Sequence, residues 1–291
     1  MIFAAIINTV YPTLFHIGGV TEALLSGNSL EFVLGVTIFI SGSSLKLNNI
    51  TIVVKRYGVL LIFRTIICVL LSLLFYKIFG LDVFFGISLI AFIVTLTSIN
   101  PALFLAIMND CGDDIDNSSF AFVSLFATPV IPMLIFGLTQ PINIDFMPLV
   151  SMVVPLVLGV IIGNLDADLG KFLSSGMPFI IFLLGWAVGS KLNLIEAVRA
   201  GLSGILMAGL YYIFTTIPMG FVEKKLLKGK GLSSIGVSTI AGISASIPII
   251  MAKNNPLMLK YSTKAAAIVS LGGVIMAIIS PYLSKRLVKK A

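Results

Sequence analysis

Apolar blocks of helix length run through almost the whole chain and constrain its fold more than any other feature. They are separated by short stretches that contain charges or glycine, proline and asparagine, and apolar and polar residues do not strictly alternate within them. In a bilayer the backbone must satisfy its own hydrogen bonds, which only helices and closed barrels achieve. Because about 20 apolar residues cross a bilayer as a helix, the blocks predict an all-α polytopic membrane protein.

The short polar stretches that separate the blocks predict about ten transmembrane helices, here called spans 1 to 10. Their expected ranges are 2–16, 30–44, 57–79, 82–109, 118–138, 146–163, 175–190, 200–222, 232–253 and 262–283. Span 1 is shorter than the roughly 20 residues that a bilayer requires. It is therefore the weakest of the predicted spans.

Composition and charge agree with a membrane protein. The chain is 58% hydrophobic and 11% charged, whereas a soluble domain carries roughly 25% charged residues. The net charge of +7 does not indicate a nucleic-acid partner, because the basic residues are scattered over short loops and the C-terminal tail. With both termini in the cytoplasm, the cytoplasmic loops would hold twelve Lys and Arg and the external loops six, which favours that orientation.

An internal repeat divides the chain into two halves. GSSLKL at 42–47 aligns with GSKLNL at 189–194, and the same offset of 147 places TSINP at 97–101 on SASIP at 244–248. Each half would hold five spans, and an odd number makes the second half insert upside down. Inverted repeats are typical of secondary transporters.

The expected boundaries of these halves are 1–140 and 145–291.

Spans 4 and 9 are each interrupted by a polar stretch that contains proline. The stretches are TLTSINP at 95–101 and AGISASIP at 241–248, with Pro101 and Pro248 as the predicted break points. Proline removes a helical hydrogen bond, and the freed helix ends carry partial charges that could face a substrate anion and a coupling cation at the midplane. Asn100 before Pro101 also suits a helix N-cap. Two simple proline kinks are the alternative.

Polar residues in and near the breaks are candidate ligands for a substrate. They are Thr97, Ser98, Asn100, Ser244 and Ser246, with Arg64 in span 3 and Ser119, Ser124 and Thr128 in span 5. Arg64 either attracts a substrate carboxylate or reaches back to the membrane surface. The span 5 hydroxyls either line a cavity or form hydrogen bonds between helices.

Two glycine–serine pairs end spans 2 and 7. They are Gly42 with Ser43 and Gly189 with Ser190. As a repeated pair they either face the substrate from the opposite side of the protein or act as glycine caps at helix C-termini.

Several chemistries are disfavoured by the residues present. The sequence has no phosphate-binding loop, and its lone histidine, His16, excludes an HExxH zinc site. Cys68 and Cys111 do not indicate a disulfide framework. We therefore expect neither an enzyme nor a resident metal or cofactor. The expected partners are a small organic anion, a coupling cation and the lipid bilayer.

Four segments together resemble the 2-keto-3-deoxygluconate permease family. They are GNLDADLGKF at 163–172, FLLGWAVGSKLNL at 182–194, SINPALFLAIM at 98–108 and SLFATPVIPM at 124–133. The resemblance covers most of the chain from span 2 onward. It implies a bacterial cytoplasmic-membrane carrier that imports a sugar-acid anion with protons.

The resemblance also implies a fold related to the bacterial bile acid sodium symporters. In that fold two inverted five-helix repeats form a panel domain, from spans 1, 2, 6 and 7, and a core domain, from spans 3 to 5 and 8 to 10. The broken helices 4 and 9 cross in the core.

Single positions both match and depart from the family pattern. Asn100 matches a family asparagine, and Arg64 stands where the family has a lysine. Thr97 and Phe126 replace two acidic residues, which are natural proton carriers in a membrane. A Na⁺-coupled carrier of another organic acid, or an uncoupled channel or sensor on the same fold, are therefore the alternatives to proton symport.

Overall fold

The computed structural model describes residues 2–81, 83–140, 144, 146–254 and 258–288. Met1 and Asp145, the first residues of the two predicted halves, and the tail lysines Lys289 and Lys290, which the orientation count includes, lie outside them. The described residues form helices joined by short turns, and their only extended pairing is one isolated bridge between Phe84 and Ile87.

The α-helices are numbered in chain order. They are α1 Ile2–Val10, α2 Gly19–Leu25, α3 Leu30–Ser44, α4 Ile50–Val53, α5 Val59–Phe79, α6 Leu89–Thr97, α7 Pro101–Cys111, α8 Asp114–Ser118, α9 Phe120–Leu125, α10 Val130–Gly137, α11 Met147–Leu165, α12 Ala167–Ser175, α13 Met177–Gly189, α14 Leu194–Arg199, α15 Gly201–Tyr211, α16 Ile217–Leu226, α17 Leu232–Val237, α18 Ile247–Asn254 and α19 Leu259–Val288. Wider π-helical turns, Val54–Gly58 and Tyr212–Thr216, join α4 to α5 and α15 to α16.

Four helical segments of the described chain are long and apolar enough to cross a membrane. They are Leu47–Phe79, Leu89–Cys111, Gly201–Leu226 and Leu259–Val288. Three bent helix pairs, with angles of 69°, 47° and 47° at the bend, raise the number of candidate spans to seven. The prediction of an all-α polytopic membrane protein is therefore confirmed, with four to seven candidate spans.

The predicted spans agree with the observed helices to different degrees. The predicted range 30–44 coincides with α3, and α11 lies within two residues of the predicted span 6. Span 1 differs, because α1 ends at Val10 and covers only 9 residues. At 1.5 Å per residue this helix is about 14 Å long, too short to cross the roughly 30 Å hydrocarbon core.

Helices α3 and α11 pack with their backbones in close contact. A Cβ atom on Gly163 would overlap the carbonyl of Ser43, and one on Gly42 would lie 2.7 Å from the carbonyl oxygen of Leu156. Small residues permit such close approach between membrane helices. Gly42 lies inside α3, which continues to Ser44, so the alternative that it caps the helix C-terminus is wrong.

The broken helix pair α6–α7 lies at the centre of the protein. Of the most apolar stretch within Leu89–Cys111, 94% is buried, compared with 39% for each of the other three long segments. Its contacts include α5, α10, α17 and α19. The break between α6 and α7 is thus enclosed by protein.

We expect Gly163→Ala to destabilise the protein by about 1–3 kcal/mol, because the added methyl group overpacks the contact with α3. Gly35→Ala is the matched control, since Gly35 lies in α3 and a Cβ there meets no atom within 4 Å. The thermal unfolding midpoint in detergent measures both variants. Equal midpoints would contradict the close α3–α11 contact.

Candidate functional site

The first helix break lies at residues 98–100, where the sequence predicts it. Helix α6 ends at Thr97 and α7 begins at Pro101. The Asn100 side chain accepts a hydrogen bond from the backbone N–H of Leu103 at 3.1 Å. The predicted N-cap is therefore confirmed, and Pro101 occupies the first turn, where its missing N–H is not needed.

The second break lies between α17 and α18. Helix α17 ends at Val237, the chain then leaves the helix, and a short 3₁₀ turn at Gly242–Ser246 leads into α18. Pro248 is the second residue of α18. Both proline-containing stretches are therefore breaks between two helices rather than kinks within one.

The two breaks contact each other through buried polar groups. The Ser98 hydroxyl donates to the Ser244 hydroxyl at 2.9 Å and accepts from the Ala241 N–H at 2.8 Å. The Asn100 N–H donates to the Thr239 hydroxyl at 3.0 Å. Ser98, Asn100 and Ser244 are each at most 4% exposed. Residues more than a hundred positions apart in sequence thus meet at one closed site.

Arg64 enters this site from α5. Its guanidinium donates to the carbonyl oxygens of Thr97 at 3.0 Å and Ser98 at 2.6 Å. A third bond, at 2.7 Å, goes to the carbonyl of Leu96. Since the side chain is only 3% exposed, the guanidinium does not reach the membrane surface, which was one of the two alternatives for this residue.

Tyr211 completes the contacts of Arg64. The Arg64 guanidinium donates to the Tyr211 hydroxyl at 3.3 Å, and that hydroxyl donates to the Ser98 carbonyl at 3.1 Å. The sequence reasoning missed both Tyr211 and Thr239. A signal existed for Tyr211, because the repeat offset of 147 maps Arg64 onto it; the sequence carried no comparable signal for Thr239.

The electrostatics of the site follow from its helix ends. The C-terminus of α6 carries partial negative charge and the N-terminus of α7 partial positive charge. Among the described residues, Arg64 bonds to carbonyls and a hydroxyl and to no carboxylate. The described residues also contain no group of three or more His, Cys, Asp or Glu that could hold a metal ion.

Other candidate ligands are bonded elsewhere. Ser119, Ser124 and Thr128 are fully or almost fully buried, and each hydroxyl donates to a carbonyl three or four residues earlier, at 2.6, 2.8 and 3.1 Å. The Thr97 hydroxyl likewise donates to the carbonyl four residues before it, at 2.8 Å. Ser246 is exposed. The hydroxyls of Ser119, Ser124, Thr128 and Thr97 therefore donate to carbonyls close by in sequence and not across the two breaks.

The two glycine–serine pairs lie at contacts between helices. Gly42 and Ser43 pack against α11. The Ser190 hydroxyl donates to the carbonyl of Leu25 at 3.3 Å, and Gly189 is the buried last residue of α13. Helix α13, which ends at Gly189, contacts the 3₁₀ turn before α18.

We expect Ser98→Ala to lower the unfolding free energy by about 1–3 kcal/mol, because the buried N–H of Ala241 loses its acceptor. Ser124→Ala is the control, since this equally buried hydroxyl bonds only within its own helical turn. Thermal unfolding in detergent compares the two variants. A Ser98 variant as stable as the Ser124 variant would show that the contact between the breaks contributes nothing.

Comparison with known proteins now identifies the family. The family model described as 2-keto-3-deoxygluconate permease matches residues 1–291. "2-keto-3-deoxygluconate permease 1" of Salmonella typhimurium is 28% identical over 293 residues, which cover 100% of this chain and 91% of the relative. The 2-keto-3-deoxygluconate permease of Bacillus subtilis is 27% identical over 296 residues, covering 100% and 89%. The chain belongs to the 2-keto-3-deoxygluconate permease family.

Proposed function

We propose that this chain is a secondary active transporter that carries a sugar-acid anion, 2-keto-3-deoxygluconate, in symport with protons. Curated relatives that match the full length of the chain are named for this substrate. The apolar helices agree with a multi-pass membrane protein. The proposed location is the bacterial cytoplasmic membrane, with both termini in the cytoplasm.

The observation that carries the proposal is the meeting of two broken helices inside the protein. Ser98 and Ser244 join the breaks by a hydrogen bond of 2.9 Å. Broken helices offer backbone groups and dipole ends to a substrate at the bilayer midplane, and this is how many secondary carriers build their sites. Hydroxyl and amide groups suit the hydroxyls of a sugar acid, and the N-terminus of α7 suits its carboxylate.

The charge of the site also supports an anionic substrate. Arg64 is 3% exposed and, within the described chain, has no carboxylate partner. Its positive charge is therefore not neutralised by an acidic side chain. A buried cation without an acidic partner attracts an anion, because the local dielectric constant is low.

Two inverted five-helix repeats are part of the proposal. Arg64 and Tyr211 are 147 residues apart, which is the repeat offset, and they contact each other. Equivalent residues of two halves can touch only beside the axis that relates the halves. This contact supports repeats of residues 1–140 and 145–291.

The division into a panel and a core domain is supported by the helix contacts. Helix α3 contacts α11, α12 and α13, and α1 contacts α13, as in a panel of spans 1, 2, 6 and 7. Helices α6, α15 and α18 all contact α19, as in a core. We propose that the core moves against the panel, so that the closed site at the breaks opens to each side of the membrane in turn.

Uptake into proteoliposomes tests this function. We expect labelled 2-keto-3-deoxygluconate to accumulate under an inward proton gradient; for one proton per anion, one pH unit supports up to about tenfold accumulation. Accumulation only under an inward Na⁺ gradient would favour the Na⁺-coupled alternative. Equilibration in every gradient would favour the uncoupled channel, and uptake equal to that of protein-free liposomes would contradict this substrate.

Asn100 tests the location of the substrate site. We expect Asn100→Ala and Asn100→Ser each to reduce uptake about tenfold or more, the effect of losing one or two hydrogen bonds to a charged ligand. Serine retains an N-cap, so the second variant separates substrate binding from helix capping. Asn48→Ala, at an exposed position after α3, is the control. Normal uptake by Asn100→Ser would contradict the assignment of this amide to the substrate.

A further inference from the structure

Three consecutive backbone carbonyls at the end of α6 converge on one cation. The oxygens of Leu96, Thr97 and Ser98 accept hydrogen bonds from Arg64 at 2.7, 3.0 and 2.6 Å. Unwound carbonyls and half-helix C-termini of this kind coordinate Na⁺ or other coupling ions in secondary transporters. Here the carbonyls surround a guanidinium instead.

The surroundings of the guanidinium are built to hold a positive charge without an acid. Arg64 is 3% exposed, and an ion buried in this way loses much of its hydration energy. The partial negative charge at the C-terminus of α6 offsets part of this loss. The Tyr211 hydroxyl accepts a further bond from the guanidinium, at 3.3 Å.

The second half of the chain has a tyrosine and not a cation at the position equivalent to Arg64. At the position equivalent to Arg64 by the repeat offset stands Tyr211, whose hydroxyl donates to the Ser98 carbonyl at 3.1 Å. Both equivalent residues therefore serve the same break, the one between α6 and α7. Of the two equivalent positions, only the one in the first half of the chain carries a cation.

We infer that the carbonyls of residues 96–98 form a monovalent-cation site, which Arg64 fills from within the protein. At this break the side chain permanently supplies the charge that an ion-coupled carrier takes from solution. The carbonyl end of α6 is then closed to Na⁺ as long as Arg64 is in place. The effect of this cation on transport rests on the proposed function. The cation site itself rests only on the hydrogen bonds between Arg64 and the three carbonyls.

Removal of the side chain should open the site to a free cation of the same chemistry. In purified Arg64→Ala and Arg64→Met, millimolar guanidinium chloride is expected to raise the thermal unfolding midpoint saturably, because a ligand that binds only the native state stabilises it. The wild type and Tyr211→Phe keep Arg64 in place and should show no such rise. N-methylglucamine chloride controls for ionic strength.

Uptake in proteoliposomes provides a second readout. We expect Arg64→Ala to lose uptake about tenfold or more, as for a lost charge-assisted contact, and guanidinium to restore it. Arg64→Lys should retain part of the uptake, because an ammonium group also donates to carbonyls. If the wild type transports nothing, the proposed function fails, while the thermal measurement still tests the cation site.

Two results would overturn the inference. The first is a folded neutral variant, with the elution volume of the wild type, whose midpoint guanidinium does not change. The second is loss of folding in Arg64→Lys as well as in both neutral variants. A cation at the carbonyls would then not be sufficient to stabilise the break. A neutral variant with a raised KM for the acid and no response to guanidinium would instead assign Arg64 to the substrate carboxylate.

Discussion

The rest of the structure depends on the satisfaction of backbone polar groups that two helix breaks set free. The hydrocarbon core of a bilayer offers no partners to such groups, so each break needs partners inside the protein. Arg64 bonds to the carbonyls that end α6, Asn100 accepts the Leu103 N–H, and Ser98 accepts the N–H of Ala241. The breaks are therefore stable because they are paired with each other and with one buried cation.

This pairing links stability to transport. The polar groups proposed to bind the substrate already hold the two breaks together, as the Ser98–Ser244 hydrogen bond shows. A substrate that enters the site must replace the hydrogen bonds between the breaks with bonds to its own polar groups. Such an exchange costs little net free energy, because a typical intramolecular hydrogen bond contributes only about 1 kcal/mol. A closed site of this kind can open for a polar ligand without losing the fold around it.

Much of the fold could be predicted because it depends on local chemistry. Apolar length determined the helices, and the bounds of α3 were predicted to the residue. A proline in the first turn of the following helix marked each break, and the side chain of Asn100 caps the start of α7. The end of α1 at Val10 was not predicted, since an apolar block continues beyond it. The number of spans cannot be read from block length alone where helices are short or bent.

The sequence by itself determined that this chain is a helical membrane permease with two polar breaks, and the resemblance carried by four segments identified its family. Only the tertiary structure decided what each polar side chain does. A buried hydroxyl bonds equally well within its own helix, as Ser124 does, or across to another, as Ser98 does. Sequence spacing does not distinguish these outcomes, because the partners of the Ser98 hydroxyl lie more than a hundred residues away and are brought near only when the helices pack.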